Sequence, residues 1–189
     1  MTPATPYDQH NADFSGLAHR AALREIYPPL FACAPSALIC EEGTLLAHGE
    51  RGRVLDGEMG IDRIVAVTVP DFEAPLRFTV QERFRRPEYA TYQDLTITAW
   101  NHRSGQPSEL YKLTADLFVY GYFDAKDDCF LDYIIVPVGP MKRALARGEL
   151  RFKWGQNPKG QSFLVLTFAA LAAADLILDR HPFPVKVAA

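Results

Sequence analysis

Cysteine is scarce in this chain of 189 residues, and its three cysteines are odd in number without the paired spacing of a metal site. They are Cys33, Cys40 and Cys129. We therefore expect free thiols in a reducing compartment. The longest apolar run, residues 163–174, is too short for a membrane span. Residues 1–6 are polar and proline-rich, unlike a secretory signal. These absences predict a cytoplasmic protein with no membrane partner.

Several well-known chemical signatures are also missing from the sequence. It contains no GxGxxG fingerprint, no phosphate-binding P-loop, no GxSxG elbow and no HExxH pair. The formal net charge of -3 argues against a protein that coats nucleic acid indiscriminately, but it is compatible with a local basic groove. A chain of 189 residues fits one domain with a sizeable core, and its hydrophobic content of 48% is ordinary for a globular protein.

The apolar pattern predicts a mixed α/β fold around one central sheet. We expect residues 1–12 to be a flexible leader and residues 13–189 to be a single domain. A first helix over residues 13–27 has Asp13 or Ser15 as its predicted cap, and Pro28 and Pro29 end it. Residues 32–45 favour a short helix and a turn. Strands are predicted over 64–69, 76–84, 95–100, 118–123, 131–136 and 162–168, and later helices over 110–118 (running into a strand), 140–149 and 169–178.

The strand over residues 76–84 carries polar groups on one face. Gln81 and Arg83 alternate with neighbours that are mostly large and apolar, so the apolar face should meet the core and the polar face a cleft. Asp62 begins the preceding strand and comes close to both if the two strands pair. Magnesium prefers oxygen ligands, and a guanidinium holds phosphate well. The pattern therefore predicts a divalent-metal site beside a phosphate.

The segment 55–86, with Gly-Ile-Asp before one strand and Gln-x-Arg on the next, resembles the PD-(D/E)XK nuclease superfamily. The resemblance implies a restriction-endonuclease-like α/β domain, a mixed β-sheet flanked by α-helices, that hydrolyses DNA with Mg²⁺ or Mn²⁺. By position, Asp62 corresponds to the metal-binding aspartate, Gln81 to the second acid and Arg83 to the catalytic lysine. Glu25, on the inward face of the first helix, is similar to the additional helix carboxylate of many members.

Two positions depart from the family pattern, and they keep a second interpretation open. Gln81 is neutral, and Arg83 keeps its proton and cannot act as a base. The alternative is a catalytically inactive nuclease-like protein, a DNA-binding or scaffolding subunit of a larger complex. A shifted strand register would also bring Glu82 to the metal in place of Gln81. Asp56 either joins the acidic pocket or is an ordinary turn residue.

Basic residues are concentrated late in the chain, where the segment 140–160 has a single acid, Glu149. These side chains either bind the DNA backbone or form an ordinary solvated surface. The predicted DNA-binding residues are Arg85, Arg86, Lys112, Lys142, Arg143, Arg147, Arg151 and Lys153. From chain size alone, a homodimer is an expected arrangement for cutting two strands.

Overall fold

The computed structural model describes residues 6–42, 53–69, 72–158 and 160–181, which form a mixed α/β fold with two sheets. The strands are β1 (Leu38–Glu42), β2 (Arg63–Val67), β3 (Leu76–Arg85), β4 (Asp94–Asn101), β5 (Gln106–Pro107), β6 (Leu117–Asp124), β7 (Cys129–Pro137), β8 (Lys153–Gln156), β9 (Gln161–Thr167) and β10 (Asp179–His181). The α-helices are α1 (Pro6–Glu25), α2 (Tyr27–Leu30), α3 (Glu109–Lys112), α4 (Val138–Ala146) and α5 (Phe168–Ala173). Short 3-10 segments cover Pro35–Ala37 and Pro87–Tyr92, and a π-helical turn covers Arg53–Glu58.

Within the described ranges, the larger sheet has six strands in the order β1-β2-β3-β6-β7-β10. All neighbours in it are antiparallel except β3 and β6, which run parallel with Val80 opposite Leu117. A parallel pair needs a long crossover, and here the crossover contains β4, β5 and α3. The smaller sheet is antiparallel, in the order β5-β4-β9-β8.

Two apolar clusters hold these layers together on opposite faces of the larger sheet. On one face, α1 approaches closely because it presents the small residues Ala18, Ala21 and Ala22, all fully buried. The other face packs against the smaller sheet, α4 and α5 through aromatic residues of β6, including Tyr120 and Tyr122. Every β6 side chain from Leu117 to Phe123 is therefore buried, as expected for a strand covered on both faces.

Several sequence predictions are wrong in detail, although the mixed α/β class is confirmed. The smaller sheet was not predicted, because it depends on the long-range pairing of β4 with β9. Residues 38–42 form β1 rather than a helix, while residues 43–45 of that predicted segment lie outside the described ranges. The edge strand β8 was missed because its four residues lack an apolar alternation.

The first helix also differs from its prediction. It begins at Pro6, before Asp13 and Ser15, because proline is tolerated in a first helical turn. Pro28 and Pro29 lie inside α2 for the same reason, and the break between the helices falls at Ile26. Within the part of the chain that the structure describes, no helix combines the length and apolar character required to cross a bilayer.

Candidate functional site

The segment before β2 is held in place by its backbone. Ile61 donates its N–H to the carbonyl of Leu55 at 2.9 Å, and Asp62 donates its N–H to Val80 at 2.9 Å, so the strand ladder begins at the aspartate. Gly60 turns the chain with a φ of +60°, in the left-handed region that favours glycine. A Cβ at Gly60 would lie 3.2 Å from Cα of Leu113 and 3.4 Å from Oε1 of Gln81. Glycine therefore lets this turn approach β3 closely.

Asp62 and Gln81 form a direct side-chain pair. Nε2 of Gln81 donates to Oδ2 of Asp62 at 2.7 Å, and the backbone N–H of Glu82 donates to the same oxygen at 2.7 Å. Both side chains are more than nine-tenths buried. Because the amide nitrogen is committed to Asp62, the oxygen of Gln81 is directed toward Gly60.

Arg83 lies on the same face of β3 as Gln81 and is paired with a residue that the sequence did not indicate. Its Nη2 is 2.7 Å from Oε2 of Glu109, and its Nη1 donates to the carbonyl of Thr96 at 3.2 Å. Oε2 of Glu109 also accepts the hydroxyl of Thr98 at 3.0 Å. Arg83 therefore joins the larger sheet to the smaller one and to α3.

Gln81, Arg83 and Glu109 line a cavity of about 220 Å³, here called the candidate pocket. It is lined by Asp56, Gly57, Gly60, Gln81, Arg83, Glu109 and Lys112. Oε1 of Glu109 is buried and has no hydrogen-bond partner among the described residues. Lys112 donates to the carbonyl of Gly57 at 2.9 Å, so it connects α3 to the π-helical turn Arg53–Glu58. A buried carboxylate oxygen without a partner is costly, and a cation or a water would satisfy it.

Burial dominates the electrostatics of Asp62. Loss of solvent raises the pKa of Asp62 to about 7, and the nearby Glu82 carboxylate adds to the rise. The backbone N–H of Glu82 and the ring of His19 act in the opposite direction. Asp62 therefore changes charge near neutral pH, where a bound cation would favour its ionised form.

Glu82 does not reach the candidate pocket. It points to the opposite face of β3, where it is fully enclosed and accepts hydrogen bonds from Tyr27, His19 and Arg63, the last at 2.8 Å. Burial opposes ionisation of Glu82, but the hydrogen bond from His19 and the charge of Arg63 outweigh it and lower its pKa. Its predicted place as a metal ligand is corrected, because the observed register presents Gln81 and not Glu82 to the pocket.

Glu25 is also placed elsewhere. It ends α1, pairs with Arg24 at 2.5 Å and accepts the backbone N–H of Phe130 at 3.3 Å. Phe130 is paired with Phe123, whereas the parallel partner of Val80 beside the pocket is Leu117. Six residues of strand separate those two positions, roughly 20 Å. Glu25 therefore lies at the other end of the sheet from Asp62.

The predicted DNA-binding residues divide into three groups. Arg85 and Arg86 are held by protein contacts: Arg85 pairs with Asp94 at 3.1 Å, and Arg86 donates to Asn11 at 3.2 Å. Lys112 lines the candidate pocket, and Lys142 donates to the carbonyl of Leu113 at 3.0 Å on the far side of α3. The remaining four are exposed around α4 and β8: Arg143, Arg147, Arg151 and Lys153.

Glu109 is the principal residue that the sequence analysis missed. A signal for it exists, since Ser108 precedes a short helix in which Glu109 and Lys112 are three residues apart on one face. No protein-family model, no curated protein and no solved structure matches this chain. The geometry of the candidate pocket is therefore the basis for assigning a function.

Proposed function

We propose that this protein is a metal-dependent nuclease that hydrolyses DNA phosphodiester bonds on a restriction-endonuclease-like α/β fold. The observation that carries the proposal is the composition of the candidate pocket. Oxygen donors of Asp56, Gln81 and Glu109 share this small cavity with two cations, Arg83 and Lys112. Oxygen donors next to basic side chains suit a divalent metal that is bound beside a phosphate.

The donor set fits Mg²⁺ or Mn²⁺. Oε1 of Glu109 is buried without a hydrogen-bond partner in the described ranges, and Oε1 of Gln81 is turned away from Asp62. Glu109 and Gln81 would hold the metal, and Asp56 is near enough to the cavity to complete the oxygen donors. The bound metal would supply an activated water and offset charge on the phosphate.

The surrounding residues position this site. Asp62 fixes the orientation of the Gln81 amide, since it accepts its N–H. Arg83 keeps its proton and is held by Glu109 and the Thr96 carbonyl, so it can bind a phosphate oxygen without acting as a base. Lys112 adds a second donor at the rim of the cavity.

Cleavage assays test the proposal directly. Supercoiled plasmid and single-stranded circular DNA are incubated with the protein and Mg²⁺ or Mn²⁺. Glu109→Gln and Asp62→Ala should each lower the cleavage rate by roughly 100-fold. Glu149→Gln is the matched control, because Glu149 is exposed and its pairing with Arg147 at 3.9 Å is weak. Equal cleavage by all four proteins would remove the catalytic assignment.

A second candidate function is a DNA-binding or scaffolding subunit that has lost cleavage. The observation that favours it is that Asp62 lies behind Gln81 and does not line the cavity. Within the described ranges, no three His, Cys, Asp or Glu side chains form a group that could hold a metal. This alternative predicts DNA binding that is the same with and without Mn²⁺, and no metal-dependent heat in calorimetry.

A further inference from the structure

A second opening, of about 320 Å³, lies beside α3. We call it the aromatic groove and define it by Leu110, Tyr111, Lys142, Phe152, Trp154 and Leu164. Glu109 and Lys112 of α3 line the candidate pocket, while Leu110 and Tyr111 line the groove. A helix is about 10–12 Å across with its side chains, so one short helix separates the two openings.

The groove exposes large aromatic rings. Trp154 is 62% exposed and Tyr111 is 61% exposed, although such side chains are usually well buried. The rings of Phe152 and Trp154 meet edge to face, with centroids 5.6 Å apart at 89°. Phe152 therefore supports the indole and leaves much of it uncovered.

The strand register explains why Trp154 is held in this place. It pairs with Leu164, which is buried, but β8 is the outer strand next to β9 and Trp154 is largely exposed there. The next residue, Gly155, lies against the ring of Phe163, where an added Cβ would be 2.3 Å from a ring carbon. Close packing of Phe163 against this glycine fixes β8, and with it the position of the indole.

The charge around the groove is mostly positive. Lys142 lines it, and Arg143, Arg147, Arg151 and Lys153 are exposed on the neighbouring α4 and β8. Only one acid, Glu149, occurs in residues 138–158, although the whole chain carries a net charge of -3. A partner of this surface should therefore be anionic and should present flat apolar rings.

We propose that the aromatic groove binds unpaired nucleotides of single-stranded DNA. Bases stack on Trp154 and Tyr111, and the basic side chains contact the phosphates, which is the general mode of single-strand recognition. Bases inside a duplex already stack on one another and cannot cover the indole. The inference rests on the proposed nuclease function in one respect: it names single-stranded or locally unpaired DNA as the substrate delivered to the candidate pocket.

Binding without cleavage tests the groove. Fluorescence anisotropy is measured in EDTA with a labelled oligothymidylate of about 15 nucleotides, the equivalent oligouridylate and a duplex of the same length. The wild type should bind the single strand more tightly than the duplex. Trp154→Ala should weaken single-strand binding roughly tenfold with little change for the duplex. Trp154→Phe should keep most of the affinity because it retains a ring.

Trp100→Ala is the matched control, because Trp100 is 38% exposed on the smaller sheet and lies outside the groove lining. It should bind the single strand like the wild type. The proposal is overturned if Trp154→Ala binds the single strand as tightly as the wild type, or if Trp154→Ala and Trp100→Ala lose the same affinity. It is also overturned if the wild type prefers the duplex or clearly prefers the uridylate. If the selective loss at Trp154 occurs but no DNA is cleaved with metal, the groove is supported and the nuclease function fails.

Discussion

Gln81 donates its side-chain amide to the same oxygen of Asp62 that accepts the backbone N–H of Glu82, each at 2.7 Å. One carboxylate oxygen thus fixes the rotamer of Gln81 and the start of the strand pairing together. The arrangement makes Asp62 a positioning residue for the amide in the absence of metal, and it gives the pocket a neutral oxygen donor in place of a charged one.

Gln81→Glu should tighten metal binding and destabilise the metal-free protein. Without a bound cation, a glutamate at position 81 repels the Asp62 carboxylate. With Mn²⁺ present, the same glutamate is a charged ligand, so we expect the affinity for Mn²⁺ to rise roughly tenfold. Calorimetric titration with Mn²⁺ and urea unfolding in EDTA measure the two effects. Gln106→Glu adds the same charge at an exposed position and should change neither. Unchanged Mn²⁺ affinity in Gln81→Glu would show that position 81 does not contact the metal.

Gly60→Ala should destabilise the protein more than Gly105→Ala. Both glycines have a left-handed φ, +60° and +65°, so each alanine carries a similar backbone cost of about 1 kcal/mol. Among the described residues, a Cβ at position 60 would lie 3.2 Å from Leu113, whereas a Cβ at position 105 would have nothing within 4 Å. The difference between their free energies of unfolding, measured in urea, isolates the close approach at the pocket. Equal losses would mean that the turn can move away freely.

The raised pKa of Asp62 gives a pH dependence with a definite sign. Its pKa is about 7 in the folded protein and about 4 when unfolded, so the folded state holds the proton more tightly between these values. Its contribution to stability therefore falls as pH rises from about 4 to about 7. Asp62→Asn removes this term while its amide oxygen can still accept both hydrogen bonds. The difference in unfolding free energy between variant and wild type should grow with pH over this range; a flat difference contradicts the assignment.

Glu82→Gln should strongly lower the free energy of unfolding and leave the metal site in place. The substitution takes away the buried carboxylate that His19, Tyr27 and Arg63 contact, and losing one member of a buried charge cluster costs roughly 3–5 kcal/mol. Tyr27→Phe should cost less, about 1–2 kcal/mol, since it removes one hydrogen-bond donor. Tyr111→Phe, at an exposed ring, is its control for urea unfolding. Folded Glu82→Gln at low temperature should still bind Mn²⁺, and loss of that binding would return Glu82 to the metal site.

The strands β2 and β3 and the side chains on each face of β3 could be predicted from the sequence. The β-branched runs on either side of residues 70–75 indicated β2 and β3, and the alternation along β3 placed Gln81 and Arg83 on one face. The proximity of Asp62 to Gln81 followed once those strands were paired. Such patterns depend only on neighbouring residues, so they can be recognised without coordinates.

Contacts between segments that are distant in the sequence could not be predicted in the same way. Glu109 reaches Arg83 because the chain between β3 and β6, two strands that pair in parallel, contains β4, β5 and α3. The residues around Glu25 in the sequence do not indicate that Glu25 lies near Phe130. They also do not indicate that His19, and not Glu25, is the residue of α1 that contacts Glu82 of β3. Pairings between distant segments decide these contacts, and a single sequence does not reveal them.

Titration with Mn²⁺ tests the central claim, that the candidate pocket holds a divalent cation, most directly. Calorimetry compares the wild type, Glu109→Gln and the control Glu149→Gln at a pH of about 8, above the pKa of Asp62. The account predicts one saturable Mn²⁺ site in the wild type and the control, and loss of that site in Glu109→Gln. Absence of binding heat in the wild type, or the same binding in all three proteins, would contradict it.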